Sequence, residues 1–226
     1  MALADYQTLV DDLVRDEAGR VSTTQRDSAI ALAVERYSDD RPRTLVEDLT
    51  GVSGTLLNLP VAWELDFSRL DSLEVPVGRV PPAILDQDSY AMYLAAAGLK
   101  IMLLNGLAAG STVRATFTAR HKLDASNDTL PLRHREATAK WAASMLCDQL
   151  AAFYATEQDT TISADRVMGQ SKSQAYAARA KDYRKQYLDA LGVADKVNGA
   201  AGVVVSLRPQ DSHGQPYLNH PARRLL

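Results

Sequence analysis

Cysteine is almost missing. Cys147 is the only one in 226 residues, which rules out a disulfide within one chain and a cysteine-based zinc site, and fits synthesis in a reducing cytosol. Positive charge is not in excess either: Lys and Arg number 25 against 28 Asp and Glu, a formal net charge of −3. The chain therefore lacks the basic field with which sequence-independent DNA binders neutralise phosphates. No apolar run reaches the roughly 18 residues of a spanning helix. The start, MALADYQTLVDDLVRD, is acidic where a secretion signal needs a basic region and an apolar run. Neither a membrane segment nor a secretion signal is expected.

Motifs that carry chemistry are equally sparse. The histidines at 121, 134, 213 and 220 form no HExxH and no paired spacing on one helix, so no metal is expected. There is no GxSxG elbow, no GxxxxGK(S/T) loop and no GxGxxG after a strand. Glu64 with Asp66, and Asp86 with Asp88, could in principle serve as acid and base. They read more simply as solvated loop charges. No catalytic residue and no cofactor is expected, and Cys147, inside an alanine-rich helical pattern, is expected to be packed rather than reactive.

What the sequence does contain is amphipathic helix on both sides of a β-rich stretch. Tyr6, Leu9, Val10, Leu13 and Val14 share one helical face, and Ser22 with Gln25 forms a capping box ahead of Ile30, Ala33, Val34 and Tyr37. The second helix should run to about Ser38. Pro42 disfavours helix at Arg41, and TLVEDL then alternates, so a charged corner marks the change from period 3.6 to period 2. Charges there serve as solvated punctuation or as a contact between subunits. Residues 52–120 hold short β-rich runs broken by glycines and prolines. A hairpin should turn near Gly98, and Val113, Ala115, Phe117 and Ala119 should face one way on a further strand after NGLAAGS.

A long helix begins near Leu132 with the stripe Ala139, Ala142, Leu146, Leu150 and Phe153, in which small residues allow a neighbouring helix to come close. A last helix carries Tyr176, Ala180, Tyr183, Tyr187 and Leu191, with Ser171 and Gln174 as its capping box and Gly192 as its C-cap. Its basic positions, Arg179, Lys181, Arg184 and Lys185, interleave with Asp182 and Asp189 and read as a solvated or subunit-facing surface. Beyond it VVVSL suggests one short strand in an otherwise irregular tail.

The expected fold is α+β, mainly α: a helical bundle with an inserted small antiparallel β unit and an extended C-terminal tail. Residues 1–51 with 121–192 form the helical core, 52–120 the insertion and 193–226 the tail.

In this order, ERYSDDRPRTLVEDLTG, WELDFSRLDSLEVPVGRVPPAILD, DTLPLRHREATAKWAASMLCDQLAAFYA and SKSQAYAARAKDYRKQYLDALG resemble the head-to-tail adaptor, or connector, proteins of tailed bacteriophages. The resemblance covers about residues 5–192. It implies a structural, non-enzymatic virion protein at the head–tail interface, made in the host bacterial cytoplasm. Such proteins form homo-oligomeric rings, commonly dodecamers, between a portal protein and a tail or tail-completion protein. Genomic DNA passes through without sequence-specific binding. On this reading Arg41, Arg43, Glu47 and Asp48 lie at or near subunit contacts, and Tyr217, Leu218, Arg223 and Arg224 contact the portal. Two alternatives stand beside it: another neck or tail-completion component, and, from a different class, a small cytosolic hydrolase or binding module.

Overall fold

The computed structural model describes residues 3–16, 18–156 and 172–193. The chain divides into the compact units Met1–Val193 and Ala194–Leu226. The second unit, the expected strand at 203–207 within it and the capping residue Ser171 lie outside the described residues.

The first two helices follow the apolar periodicity. α1 (Leu3–Val14) buries Tyr6, Val10 and Val14. α2 (Thr23–Asp40) opens on the expected capping box: Ser22 Oγ accepts from the Gln25 amide at 3.2 Å while Gln25 Oε1 accepts from the Ser22 amide at 2.8 Å. Two donors that a helix start leaves orphaned are thereby satisfied. α2 buries Ile30, Ala33, Val34 and Tyr37 and runs on to Asp40, stopping where Pro42 forces Arg41 out of helical geometry (φ −144°, ψ 73°).

After a 3₁₀ turn, Leu132–His134, comes α3 (Arg135–Thr156), and then α4 (Lys172–Leu191). Ala139, Ala142 and Ala143 of α3 are buried in the helical core, and α4 packs along α3 through Trp141 on Tyr187, the Ala151 carbonyl accepting from Ser173 Oγ at 2.8 Å, and Tyr154 stacked on Tyr176. Phe153, expected in the same stripe, sits at its rim under the guanidinium of Arg20 at 5.0 Å. α4 closes at Gly192 (φ +62°), where the Val193 amide reaches back to the Leu188 carbonyl at 3.1 Å. That bond is the signature of a left-handed helix terminus. Together the four helices enclose one core, with Tyr6, Tyr37, Leu146, Leu150 and Tyr187 among its largest fully buried side chains.

Cys147 is fully buried on α3, and burial pushes its thiol up to about 11. The reactive thiolate is suppressed twice, by exclusion of reagent and by pKa. At pH 8 it is expected to react with an aromatic disulfide reagent only as the protein unfolds; rapid labelling of the native protein would contradict this placement.

The β unit is a four-stranded antiparallel sheet organised on one strand. β1 (Arg43–Leu57), β2 (Leu70–Glu74) and β3 (Tyr90–Ala95) all pair with β4 (Gly98–Ala119). β1 lies along one side of β4 from Arg43↔Ala119 to Leu57↔Ile101, while β2 and β3 share the other side. The sheet therefore begins at Arg43, well before residue 52. The separate strand expected after NGLAAGS is instead the second half of β4. Glycine makes the continuation possible: Gly54 (φ +78°) and Gly110 (φ +82°) adopt the left-handed backbone that lets pairing slip through register shifts between Leu49 and Leu56 rather than end in a turn.

Val113, Ala115, Phe117 and Ala119 do face one way, and all are buried. With Ile101, Leu103, Leu57 and Leu73 the first three form a second core, closed by Leu59 and Trp63 from the loop after β1 and by Val75 and Leu85 from the loop after β2. No residue belongs to both cores. Helices and sheet are two separately packed layers of one compact unit.

Candidate functional site

Three features stand out, two of them polar and placed where the layers meet, the third an apolar patch on the sheet. The first is the charged corner. Arg41 sends its guanidinium back to the carbonyl of Leu191 at 2.7 Å and so caps the C-terminal end of α4. Glu47 accepts from the amides of Val61 and Ala62, at 2.8 and 3.4 Å, and fastens the loop after β1 to that strand. Asp48 takes a two-pronged pair of bonds from Arg114 on β4, at 2.7 and 2.9 Å, with Glu74 of β2 at 3.5 Å from the same guanidinium. The Arg114 bonds hold the Asp48 carboxyl below the usual carboxylate range. Arg43 is half-buried, and its Nε has no hydrogen-bond partner. The corner thus brings Glu47, Asp48 and Arg43 onto one strand. Tyr217, Leu218, Arg223 and Arg224 lie outside the described residues.

The second feature was not legible as a site in the sequence. Tyr37, Ser38, His121 and His134 are buried together at the joint. The chain crosses between layers twice, at residues 41–43 and 119–121, and the crossings run side by side because Arg43 pairs with Ala119. His121 fastens them: its amide donates to Ser38 Oγ at 2.9 Å, Nε2 lies 3.0 Å from the Arg41 carbonyl, and Nδ1 lies 2.9 Å from the Thr129 carbonyl. Tyr37 stands edge-on to His121, ring centroids 5.0 Å apart, and its hydroxyl lies 2.6 Å from His134 Nδ1. Burial is the main cause that lowers both imidazoles below their ordinary 6.5 and raises the Tyr37 phenol. Neutral rings and a protonated phenol follow at pH 7, and in the Nε2–H tautomer of His134 the Tyr37 hydroxyl is the donor of their shared bond.

Beside the joint is a cleft of about 360 Å³, lined by Asp27, Glu35 and Glu64 and by Arg120, His121 and Lys122. Charges of both signs line it, so it selects no ligand charge. Of the carboxylates singled out in the sequence, Glu64 reaches this cleft and lies 3.8 Å from Arg120, while Asp86 and Asp88 stay exposed, the one just before and the other within the 3₁₀ turn Gln87–Ser89. Among the described residues no group of three or more His, Cys, Asp or Glu could hold a metal ion. Nor does any described helix have the length and apolarity to cross a membrane.

The third feature is the far half of the sheet. Leu56, Ala91 and Met102 are register partners across three strands, and they share an outward face with Tyr93 and Leu104. Leu94 is exposed on the opposite face at the hairpin end. β1 has no strand partner along its outer edge among the described residues.

No family model matches the sequence, and no curated protein matches it. Among solved structures the chain is similar to one titled "Neck of empty GTA particle computed with C6 symmetry", at 16% identity and a TM-score of 0.27, over 73% of this chain and 79% of that one.

Proposed function

We propose that the protein is a structural, non-enzymatic component of the neck of a tailed-phage virion: an adaptor ring between portal and tail that extends the channel for DNA. One observation carries the reading beside the sequence resemblance. Leu56, Tyr93, Met102 and Leu104 are exposed together on one face of the far half of the sheet, next to the open edge of a fifteen-residue strand. Soluble monomers seldom leave contiguous apolar surface or long strand edges uncovered, whereas subunits of an assembly bury both.

In this reading the helical part packs between neighbours, and the strand bearing Arg43, Glu47 and Asp48, with Arg41 at its entrance, meets the next subunit. A ring contact is heterologous and closes on itself, so charges there set register more than affinity. The tail, with Tyr217, Leu218, Arg223 and Arg224, reaches the portal. The passing DNA is repelled rather than held by the mildly acidic balance.

Native mass spectrometry of the purified chain, alone and mixed with a portal ring, tests this. The expected species is a ring-sized assembly, or one that forms only on the portal, and removal of residues 209–226 should abolish attachment while leaving the subunit folded. A lasting monomer that ignores the portal would return the choice to a binding module or hydrolase. Normal attachment by the truncated chain would remove the tail from the portal contact.

A further inference from the structure

The two layers have separate cores and are joined at one buried polar cluster, so whatever alters that cluster alters how firmly the sheet is held on the helices. We propose that the cluster of Tyr37, His121 and His134 is a proton-operated latch, closed when His134 is neutral and loosened when it takes a proton.

Donors and acceptors decide which member opens. Neutral His134 has one acceptor nitrogen, Nδ1, and the Tyr37 hydroxyl occupies it at 2.6 Å. A proton on Nδ1 turns that nitrogen into a donor, so the phenol oxygen must accept and the phenol proton loses its partner. Among the described residues the Tyr37 hydroxyl makes no other hydrogen bond, and an unsatisfied donor buried at this depth is costly. His121 differs, because it has partners in both states. As the neutral Nε2–H tautomer it donates to the Arg41 carbonyl and accepts the Thr129 hydroxyl, 3.2 Å from Nδ1, although Nδ1 then also faces the Thr129 carbonyl without a proton to share. Protonated, it donates from Nδ1 to the Thr129 carbonyl, and the hydroxyl turns to the Lys122 carbonyl at 3.3 Å. His121 therefore keeps the crossings fastened in either state. His134 is the member that opens.

The surrounding charges favour neutral rings at neutral pH. Cations face the cluster from the end of α2 (Arg41), from β1 (Arg43) and from the 3₁₀ turn before α3 (Arg133). Asp128, from the loop after β4, acts the other way, and it pairs with Arg135 of α3 at 2.7 Å. Tyr6 of α1 and Tyr37 of α2 complete the titratable neighbours. Because the fold lowers the imidazoles below 6.5, the stability they contribute is present above that value and is lost as pH falls through their folded values.

The test uses the full chain, ¹⁵N-labelled. Imidazole spectra report the tautomer and titration of each histidine. Amide hydrogen exchange, corrected for its intrinsic pH dependence, reports the joint. At pH 7.5 His134 is expected as the Nε2–H tautomer. Between pH 7.5 and 5 the amides of Arg41 and His121 are expected to lose protection at least tenfold more than those of Ala142–Leu150 in α3. His134→Gln keeps an acceptor but cannot titrate and should abolish the excess. Tyr37→Phe serves if that variant folds poorly: its joint should already be loose at pH 7.5, with no further excess at pH 5. Equal loss of protection at joint and α3, an unchanged pH response in His134→Gln, or His134 protonated on Nδ1 at pH 7.5 would overturn the latch.

Discussion

Phe117→Ala is expected to separate the unfolding of the sheet from that of the helices. Phe117 is fully buried on β4, between Leu45 of β1 and Leu70 of β2, with the Trp63 ring 5.7 Å away. Truncating such a side chain removes transfer free energy and leaves a cavity, together about 3–5 kcal/mol. All of that loss falls on a core that contributes no residue to the helical one. The two tryptophans are conveniently divided, Trp63 on the sheet core and Trp141 on the helical core. When Phe117→Ala is combined with Trp63→Phe or with Trp141→Phe, the two fluorescence transitions should part, the sheet melting first while helical circular dichroism persists. Coincident transitions would mean that the layers unfold as one cooperative unit despite their separate cores.

The helical core has its own weak point in Tyr187. Its ring packs against Trp141 at 4.8 Å, and its hydroxyl donates to Asp40 Oδ2 at 2.9 Å. The same carboxylate, fully buried, accepts from Arg36 at 2.8 Å. One phenol therefore ties α4 to both α2 and α3. Tyr187→Ala should cost about 3–5 kcal/mol through the cavity, and Tyr187→Phe about 1–3 kcal/mol through the lost bond to a buried charge. The two variants also separate in alkali. Burial, with the charge of Asp40 behind it, pushes the Tyr187 hydroxyl far above its ordinary 10.0. A raised folded pKa means stability fully present below pH 10 and lost as pH rises beyond it. Denaturant titrations at pH 8 and pH 11 should show a smaller drop in Tyr187→Phe than in the parent chain. An identical drop would assign the alkaline loss to other buried tyrosines, Tyr6 among them.

Local signals in the sequence carried the helices well, and for a physical reason: caps and apolar faces depend on neighbours within one or two turns. Ser22 and Gln25 announce α2, and Gly192 ends α4 in the left-handed conformation its position suggested. Alternation likewise placed Val113, Ala115, Phe117 and Ala119 on one face. What could not be read was anything joined across the chain. NGLAAGS has the composition of a turn, yet its glycines serve to slip the register of a continuous strand, which only the presence of β1 alongside makes favourable. His121 and His134 looked scattered because their partners, Arg41 and Tyr37, are far away in sequence. The charged corner was visible, but not that Arg41 closes a helix ending at Leu191 or that Glu47 secures a loop.

The pairing of Arg43 with Ala119 has a consequence for how this chain can vary. Opposed residues of an antiparallel pair lie only about 5 Å apart, so everything between them leaves and rejoins the helices at practically one point. The intervening stretch behaves as a cassette. It can lengthen, shorten or be exchanged for a different β unit, and the helical body would register chiefly the threshold and the Glu64 loop that lines the cleft beside α2. Divergence should therefore gather in the sheet and its loops, while the threshold itself, with Arg41, Arg43 and His121, keeps its geometry.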